Sequence, residues 1–301
     1  MTGKDGEVRR VLVAGYGVMG RGIALSFARA GFETLVLSRD PARLGLLPHG
    51  MRAVAEPPET PPDLVIESII EQLAPKQALF KRLEAAYGSG EDGPILATNT
   101  SGLALADIAA PLTARARFLA VHYMQPAETL PMVEVARLPE TRADVLERTV
   151  RALARTGKES IVLNRAVTGF LINRLQHAVL HEAYHLIETG VASVADVDNF
   201  ARKLFGPRMC ITGLIEQKDL SGLDTHALAQ RSIVPDLYHS PEPCRILQDK
   251  FEAGELGIKT GKGFYDWAGR DTAAFKADRQ AKLDRLLAFL DELWAEDGKA
   301  V

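Results

Sequence analysis

Cysteine is nearly absent: two in 301 residues, Cys210 and Cys244, too far apart to share metal-ligand spacing. This excludes a disulfide framework or a thiolate cluster and makes a reduced, cytoplasmic compartment the expectation. No apolar run approaches the roughly 20 residues of a bilayer span, and residues 1–8 are polar and mixed in charge, so neither a membrane anchor nor a secretory leader is expected. Neither sign of charge dominates. Lys plus Arg number 36 against 39 Asp plus Glu, a net charge of −3, which leaves no basic footprint for nucleic acid or anionic lipid. No internal repeat or low-complexity tract is visible. What remains is 47% hydrophobic and 25% charged residues, the composition of a globular protein long enough for two domains.

The most informative stretch is Val11-Leu-Val-Ala-Gly15-Tyr-Gly17-Val18-Met19-Gly20-Arg-Gly22. An apolar strand turns through three spaced glycines directly into a helix with Ile23, Ala24, Phe27 and Ala28 on one face, and a second strand, Thr34–Leu37, follows. Gly15 permits the tight turn, Gly17 lets backbone approach a pyrophosphate, and Gly20 brings helix and strand close. The helix N-terminus then offers free N–H groups and a positive dipole end. In this context the glycines predict a dinucleotide site rather than an empty turn, with Val18 and Met19 inside it.

Apolar strands then alternate with helices. Strands are predicted at 9–14, 33–38, 63–67, 95–99, 117–122, 132–137 and 159–163, and helices near 18–30, 73–87, 103–109 and 141–156. This alternation predicts an α/β, Rossmann-type doubly wound parallel sheet over residues 1–165. The proline-rich stretch 40–62 reads as loop, with room for one short strand near Met51–Ala55. Residues 166–301 read as an all-α domain, with helices at 170–188, 193–204 (capped by Ser193), 211–217, 222–232, 242–253 and 272–296. It is expected to carry substrate contacts and a homodimer interface.

Three segments fall where such a sheet places chemistry, past the carboxyl ends of strands: Asn99-Thr100-Ser101, His122 with Glu134, and Phe170–Arg174 including Asn173. A carboxylate inside the apolar run Met132–Ala136 is costly without a partner. His122 is a natural one: the pair would make a base near neutral pH. A satisfied core histidine with an unrelated glutamate fits these residues equally well.

The ordered motifs Gly15-x-Gly17-x-Met19-Gly20, Leu64-Val-Ile-Glu67-Ser-Ile-Ile-Glu71-x4-Lys76, Thr98-Asn99-Thr-Ser101-Gly, His122-x11-Glu134, Gly169-Phe-Leu-Ile-Asn173-Arg-Leu and Leu256-Gly-Ile-Lys-Thr-Gly-Lys-Gly-Phe-Tyr265 resemble the L-3-hydroxyacyl-CoA dehydrogenase family from about residue 9 to 268. The resemblance implies an NAD(P)-dependent oxidoreductase acting on a small-molecule 3-hydroxyacyl or 3-ketoacyl substrate, in fatty acid metabolism. It implies that His122 is the base, Glu134 its orienting partner, Ser101 a donor to the reacting oxygen and Asn173 a holder of the substrate carbonyl. Glu71, Lys76 and Asn99 would lie near the nicotinamide and its ribose.

Three departures modify that expectation. Ser38 followed by Arg39 stands where an acidic ribose ligand is expected, which favours NADP(H) through a hydroxyl and a guanidinium, although NAD binding through a weaker Ser38 contact fits as well. The roughly 25 residues between Ser38 and Asp63 leave no room for the two-helix arm that lies where the family holds coenzyme A. A free acid or a carrier-bound acyl group is then expected as readily as a thioester. Gln125 replaces an expected Asn in the turn after His122. A rival signal, His181-Glu182-Ala-Tyr-His185, has the H-E-x-x-H zinc spacing. It lacks a third ligand at a persuasive distance, so packing roles are expected and no metal is assigned.

Overall fold

In the computed structural model, residues 6–296 are described, and the first five residues of the polar stretch 1–8 lie outside them. The chain divides into two compact units, Met1–Leu175 and Gln176–Val301.

The first unit carries β1 (Arg10–Ala14), α1 (Val18–Arg29), β2 (Glu33–Leu37), β3 (Arg52–Val54), β4 (Leu64–Glu67), α2 (Leu73–Tyr87), β5 (Ile95–Thr98), α3 (Leu105–Ala109), β6 (Phe118–Tyr123), β7 (Met132–Arg137), α4 (Ala143–Arg155) and β8 (Glu159–Leu163). The strands form one eight-stranded sheet in the order β3-β2-β1-β4-β5-β6-β7-β8. Both faces are covered, as the alternation of core residues records. Val11, Val13, Ile66, Ala97 and Val121 join one apolar cluster. Leu12, Ala14, Val65, Leu96 and Ala120 join another. Residues 40–62 hold only two short 3-10 turns, Pro41–Leu44 and Pro48–Gly50, and β3, in agreement with the absence of a two-helix arm.

The expectation of an all-parallel sheet needs correction. β7 pairs antiparallel with β6, while β8 is parallel to β7, so the last two strands run against the other six. The reason is length. Only residues 124–131 join β6 to β7, and a parallel crossover needs a dozen residues or more. Between β7 and β8 the chain does have room for α4, and there the pairing is parallel.

α5 (Ile172–Glu188) begins in the first unit, and the described part of the second unit carries α6 (Val194–Phe200), α7 (Gly206–Thr212), α8 (Glu216–Ser221), α9 (Leu223–Ile233), α10 (Arg245–Glu252) and α11 (Thr272–Glu296). α6 starts at the expected Ser193, which forms a reciprocal capping box with Asp196. A wide turn at Ala201–Phe205 carries it on into α7, so the helices expected at 193–204 and 211–217 occur as 194–200, 206–212 and 216–221.

Candidate active site

The glycine turn is built as the sequence requires. Gly15 has φ 101°, and a Cβ on it would drive into the Ser68 carbonyl, while a Cβ on Gly20 would drive into that of Gly15. Gly17 differs, with open space where its side chain would be. It is also the N-cap of α1, whose first turn carries no side-chain cap and no acidic residue. Val18 is 69% exposed there, whereas Met19 packs on the core. Space at Gly17 in front of uncapped N–H groups fits a pyrophosphate, so these residues fit a dinucleotide. At the end of β2, the Ser38 N–H donates to Val54 O, and its Oγ accepts from the Asp40 N–H at 3.2 Å. Arg39 is exposed.

Antiparallel pairing sets His122 directly opposite Glu134, the cross-strand position at which side chains meet. His122 Nδ1 and Glu134 Oε2 are 2.8 Å apart, and both residues are buried. An ionised carboxylate only accepts, so against it Nδ1 is the donor, and Nε2 is the ring nitrogen left without a bond to Glu134. The other carboxylate oxygen, Oε1, accepts the N–H groups of Leu171 and Ile172 at 2.7 and 2.9 Å. Phe170, in the left-handed region at φ 51°, stacks on the imidazole with ring centroids 4.8 Å apart. Glu134 therefore fixes the imidazole and also anchors the segment that leads to Asn173.

A second network, buried at Glu67, Lys76, Thr98 and Thr100 and open at Glu71 and Ser101, closes the ends of β4 and β5. Lys76, 1% exposed, lies 2.5 Å from Glu67 Oε1 and 3.1 Å from Glu71 Oε2. The remaining oxygen of Glu67 accepts from the Thr98 hydroxyl at 2.6 Å. Glu71 Oε1 accepts from the Thr100 hydroxyl (2.6 Å), the N–H groups of Ser101 (2.8 Å) and Gly102 (3.0 Å), and the Ser101 hydroxyl (3.2 Å). Burial pushes the Glu71 carboxyl up, but these donors from Thr100, Gly102 and Ser101, with the Lys76 charge, outweigh it and hold the group at about 2. Asn173 Nδ2 reaches the Ser101 carbonyl at 3.4 Å. Asn99 spends its side-chain carbonyl on the Tyr123 N–H at 2.8 Å, tying β5 to β6.

Hydrogen bonds thus join Glu71 and Lys76 to Ser101 and Asn173, and the neighbouring Leu171 and Ile172 join Asn173 to Glu134 and His122. Sequence reasoning placed Glu67, Thr98, Thr100 and Phe170 in its motifs and segments but gave none of them a role of its own. A carboxylate closing the apolar strand Leu64–Glu67 was the one available signal, the same that marked Glu134.

The H-E-x-x-H residues have other partners. His181 Nε2 lies 2.9 Å from the Ser240 carbonyl, Glu182 accepts the Tyr238 N–H at 2.8 Å, and His185 stacks on the Tyr238 ring at 4.3 Å. Among the described residues no group of three His, Cys, Asp or Glu could hold a metal ion, and no helix is long and apolar enough to cross a membrane.

Residues 59–166 match the model of the 3-hydroxyacyl-CoA dehydrogenase NAD binding domain, and residues 169–267 match that of the 3-hydroxyacyl-CoA dehydrogenase C-terminal domain. A probable 3-hydroxybutyryl-CoA dehydrogenase of Bacillus subtilis is 30% identical over 87% of this chain and 98% of its own. A 5-formyl-3-hydroxy-2-methylpyridine 4-carboxylate 5-dehydrogenase of Mesorhizobium japonicum is 26% identical, over 92% of this chain and 96% of its own. A crystal structure of such a pyridine carboxylate dehydrogenase, described as an NAD+ dependent dismutase, superposes with a TM-score of 0.87 at 24% identity, covering 94% of this chain and 99% of that one.

Proposed function

The chain belongs to the 3-hydroxyacyl-CoA dehydrogenase family, and we propose that within it His122 is the catalytic base for a compact, polar 3-hydroxy acid rather than a long-chain thioester. It is an oxidoreductase that moves a hydride between a nicotinamide dinucleotide and the 3-hydroxyl or 3-keto group of a 3-hydroxyacyl substrate. When bound, the nicotinamide supplies the hydride acceptor or donor. The observation that carries the residue assignment is the His122–Glu134 pair, with Nδ1 committed to the carboxylate and Nε2 left without a bond to it.

In oxidation His122 takes the hydroxyl proton at Nε2, and the ionised Glu134 stabilises the imidazolium that forms. In reduction the same proton returns to the oxygen. Ser101 donates to the reacting oxygen. Its hydroxyl is free to turn, because its 3.2 Å bond to Glu71 is the longest of the four donors on that oxygen. Asn173, beside Ser101, holds the second substrate carbonyl through its amide. Glu71 faces the nicotinamide ribose, and Lys76, buried behind it between Glu67 and Glu71, acts through that carboxylate rather than on the ribose itself.

The preference for a compact acid rests on the short 3-10 turns of residues 40–62, which offer no arm for a coenzyme A tail, and on the relative that acts on a free pyridine carboxylate. Cofactor choice is assigned to Ser38 and Arg39, which favour the 2′-phosphate of NADP(H). Dimerisation is assigned to the helical unit: α6 to α9 contain no buried residue among those described, and Phe200, Ile211, Ile215, Leu220 and Leu228 are exposed. A second copy would cover that apolar surface. A reduced, cytoplasmic setting and a place in acyl metabolism complete the reading.

A panel of 3-hydroxy acids and their thioesters, read at 340 nm with both cofactors, tests it. Turnover of free acids that is lost in His122→Ala is expected. A thioester advantage of several hundredfold in kcat/KM, about 3–4 kcal/mol, would overturn the compact-acid assignment.

A further inference from the structure

We propose that a cavity rimmed by Arg137, Arg165 and Arg174 is the subsite for an anionic group, a carboxylate or a phosphate, on the non-reacting end of the substrate. The inference rests on the dehydrogenase reading, since it assigns the far end of the same molecule.

The cavity lies wholly within the first unit and has a volume of about 680 Å³. Three pieces of chain converge on it: the end of β7 with Arg137, the segment after β8 with Arg165, and the first turn of α5 with Arg174. Its walls include Leu103, Leu105 and Phe170, and no acidic residue lines it. Among the described residues none of the three guanidinium groups has a carboxylate partner. Arg174 makes only a long 3.4 Å bond to the Thr168 carbonyl. Elsewhere on this unit Arg10 and Arg52 pair with Glu33, Arg82 with Glu56, Arg115 with Glu140, and Arg142 with Asp144. Three unanswered cations around one apolar concavity focus a positive potential into it. The guanidinium fork suits the two oxygens of a carboxylate or phosphate.

Arg137 pairs with Leu119, three residues before His122 on β6, so the arginines stand toward the far end of that strand and Phe170 connects this cavity to His122. Its wall Phe170 is the ring that stacks on His122. Leu103 is two residues beyond Ser101, and Arg174 follows Asn173. An apolar wall beside the base and a cationic rim fit a compact acyl or aryl body that ends in an oxyanion. A neutral chain would leave the arginines without counter-charge.

The test uses the full chain, its Arg137→Gln and Arg165→Gln variants, and the double variant. All three are checked by thermal melting, and both arginines are exposed, so folding should be retained. The probes are 3-hydroxyadipate, its 6-methyl ester and acetoacetyl-CoA. Wild type should prefer the diacid to its half-ester, and the double variant should narrow that preference about tenfold or more through KM. A loss confined to acetoacetyl-CoA also supports the subsite and identifies the anion as a phosphate. Kinetics unchanged for all three probes would overturn it. Absence of turnover by wild type with either cofactor would instead count against the dehydrogenase reading. Calorimetric binding of 3-hydroxyadipate to wild type and double variant then decides the subsite alone, with equal heats refuting it.

Discussion

Glu134 serves two elements at once, and the consequence can be measured. Its two oxygens hold His122 and the N–H groups of Leu171 and Ile172. Glu134→Ala should therefore lower kcat and also destabilise the fold by about 1–3 kcal/mol for each buried donor left unpaired, seen as a fall in Tm. His122→Ala should lower kcat about 10²–10⁴-fold with cofactor affinity nearly unchanged; stopped-flow kinetics and a cofactor titration separate the two effects. Glu71 gives a pH signature. Its pKa lies near 2, below its ordinary 4.5. Its ionised form thus contributes stability above about pH 4.5, and the contribution is lost as pH falls toward 2. The stability gap between wild type and Glu71→Gln should be full at pH 7 and shrink through that window in acid denaturation.

Among the elements, the turn from β2 and the turn into α1 are where we propose that cofactor binding is set. Ser38→Asp should reverse a preference for NADPH by setting a carboxylate against the 2′-phosphate. Tighter NADH binding by the unmutated chain in a fluorescence titration would refute the Ser38–Arg39 assignment. Gly20→Ala should weaken either cofactor and lower Tm, because α1 would have to move away from Gly15. The antiparallel turn-back at β7 is the element-scale event that creates the dyad. Residues 124–131 are too short for a crossover, so the chain reverses and Glu134 arrives opposite His122.

For the molecule as a whole, the apolar surface of the helical unit is the outstanding feature. Ile215 and Leu220 are 72% and 71% exposed. Charges introduced there, as in Ile215→Glu with Leu220→Glu, should shift a dimer to monomer in light scattering, and an unchanged mass would refute an interface at these residues. Apart from that surface, the glycine turn follows β1, His122 and Glu134 stand on β6 and β7, and the segment held by Glu134 follows β8, all on one sheet. The chemistry can therefore assemble only once the sheet has formed.

The sequence by itself determined the glycine turn of this protein. The spacing Gly15-x-Gly17-x-x-Gly20 and the strand and helix around it are local, and local sterics leave few other conformations. It likewise marked His122 and Glu134 through a polar residue in an apolar strand, and the missing arm through prolines between 40 and 62. The reversal of β7 depends on loop length against helix geometry, and the parallel expectation did not survive it. Tertiary structure alone gave Glu67 its partners Lys76 and Thr98, seated Phe170 against the imidazole, and gathered Arg137, Arg165 and Arg174 around one cavity. Those contacts join residues 9 to 48 positions apart in the chain. A side chain's burial and partners are set by which strands become neighbours, and no local pattern encodes that order.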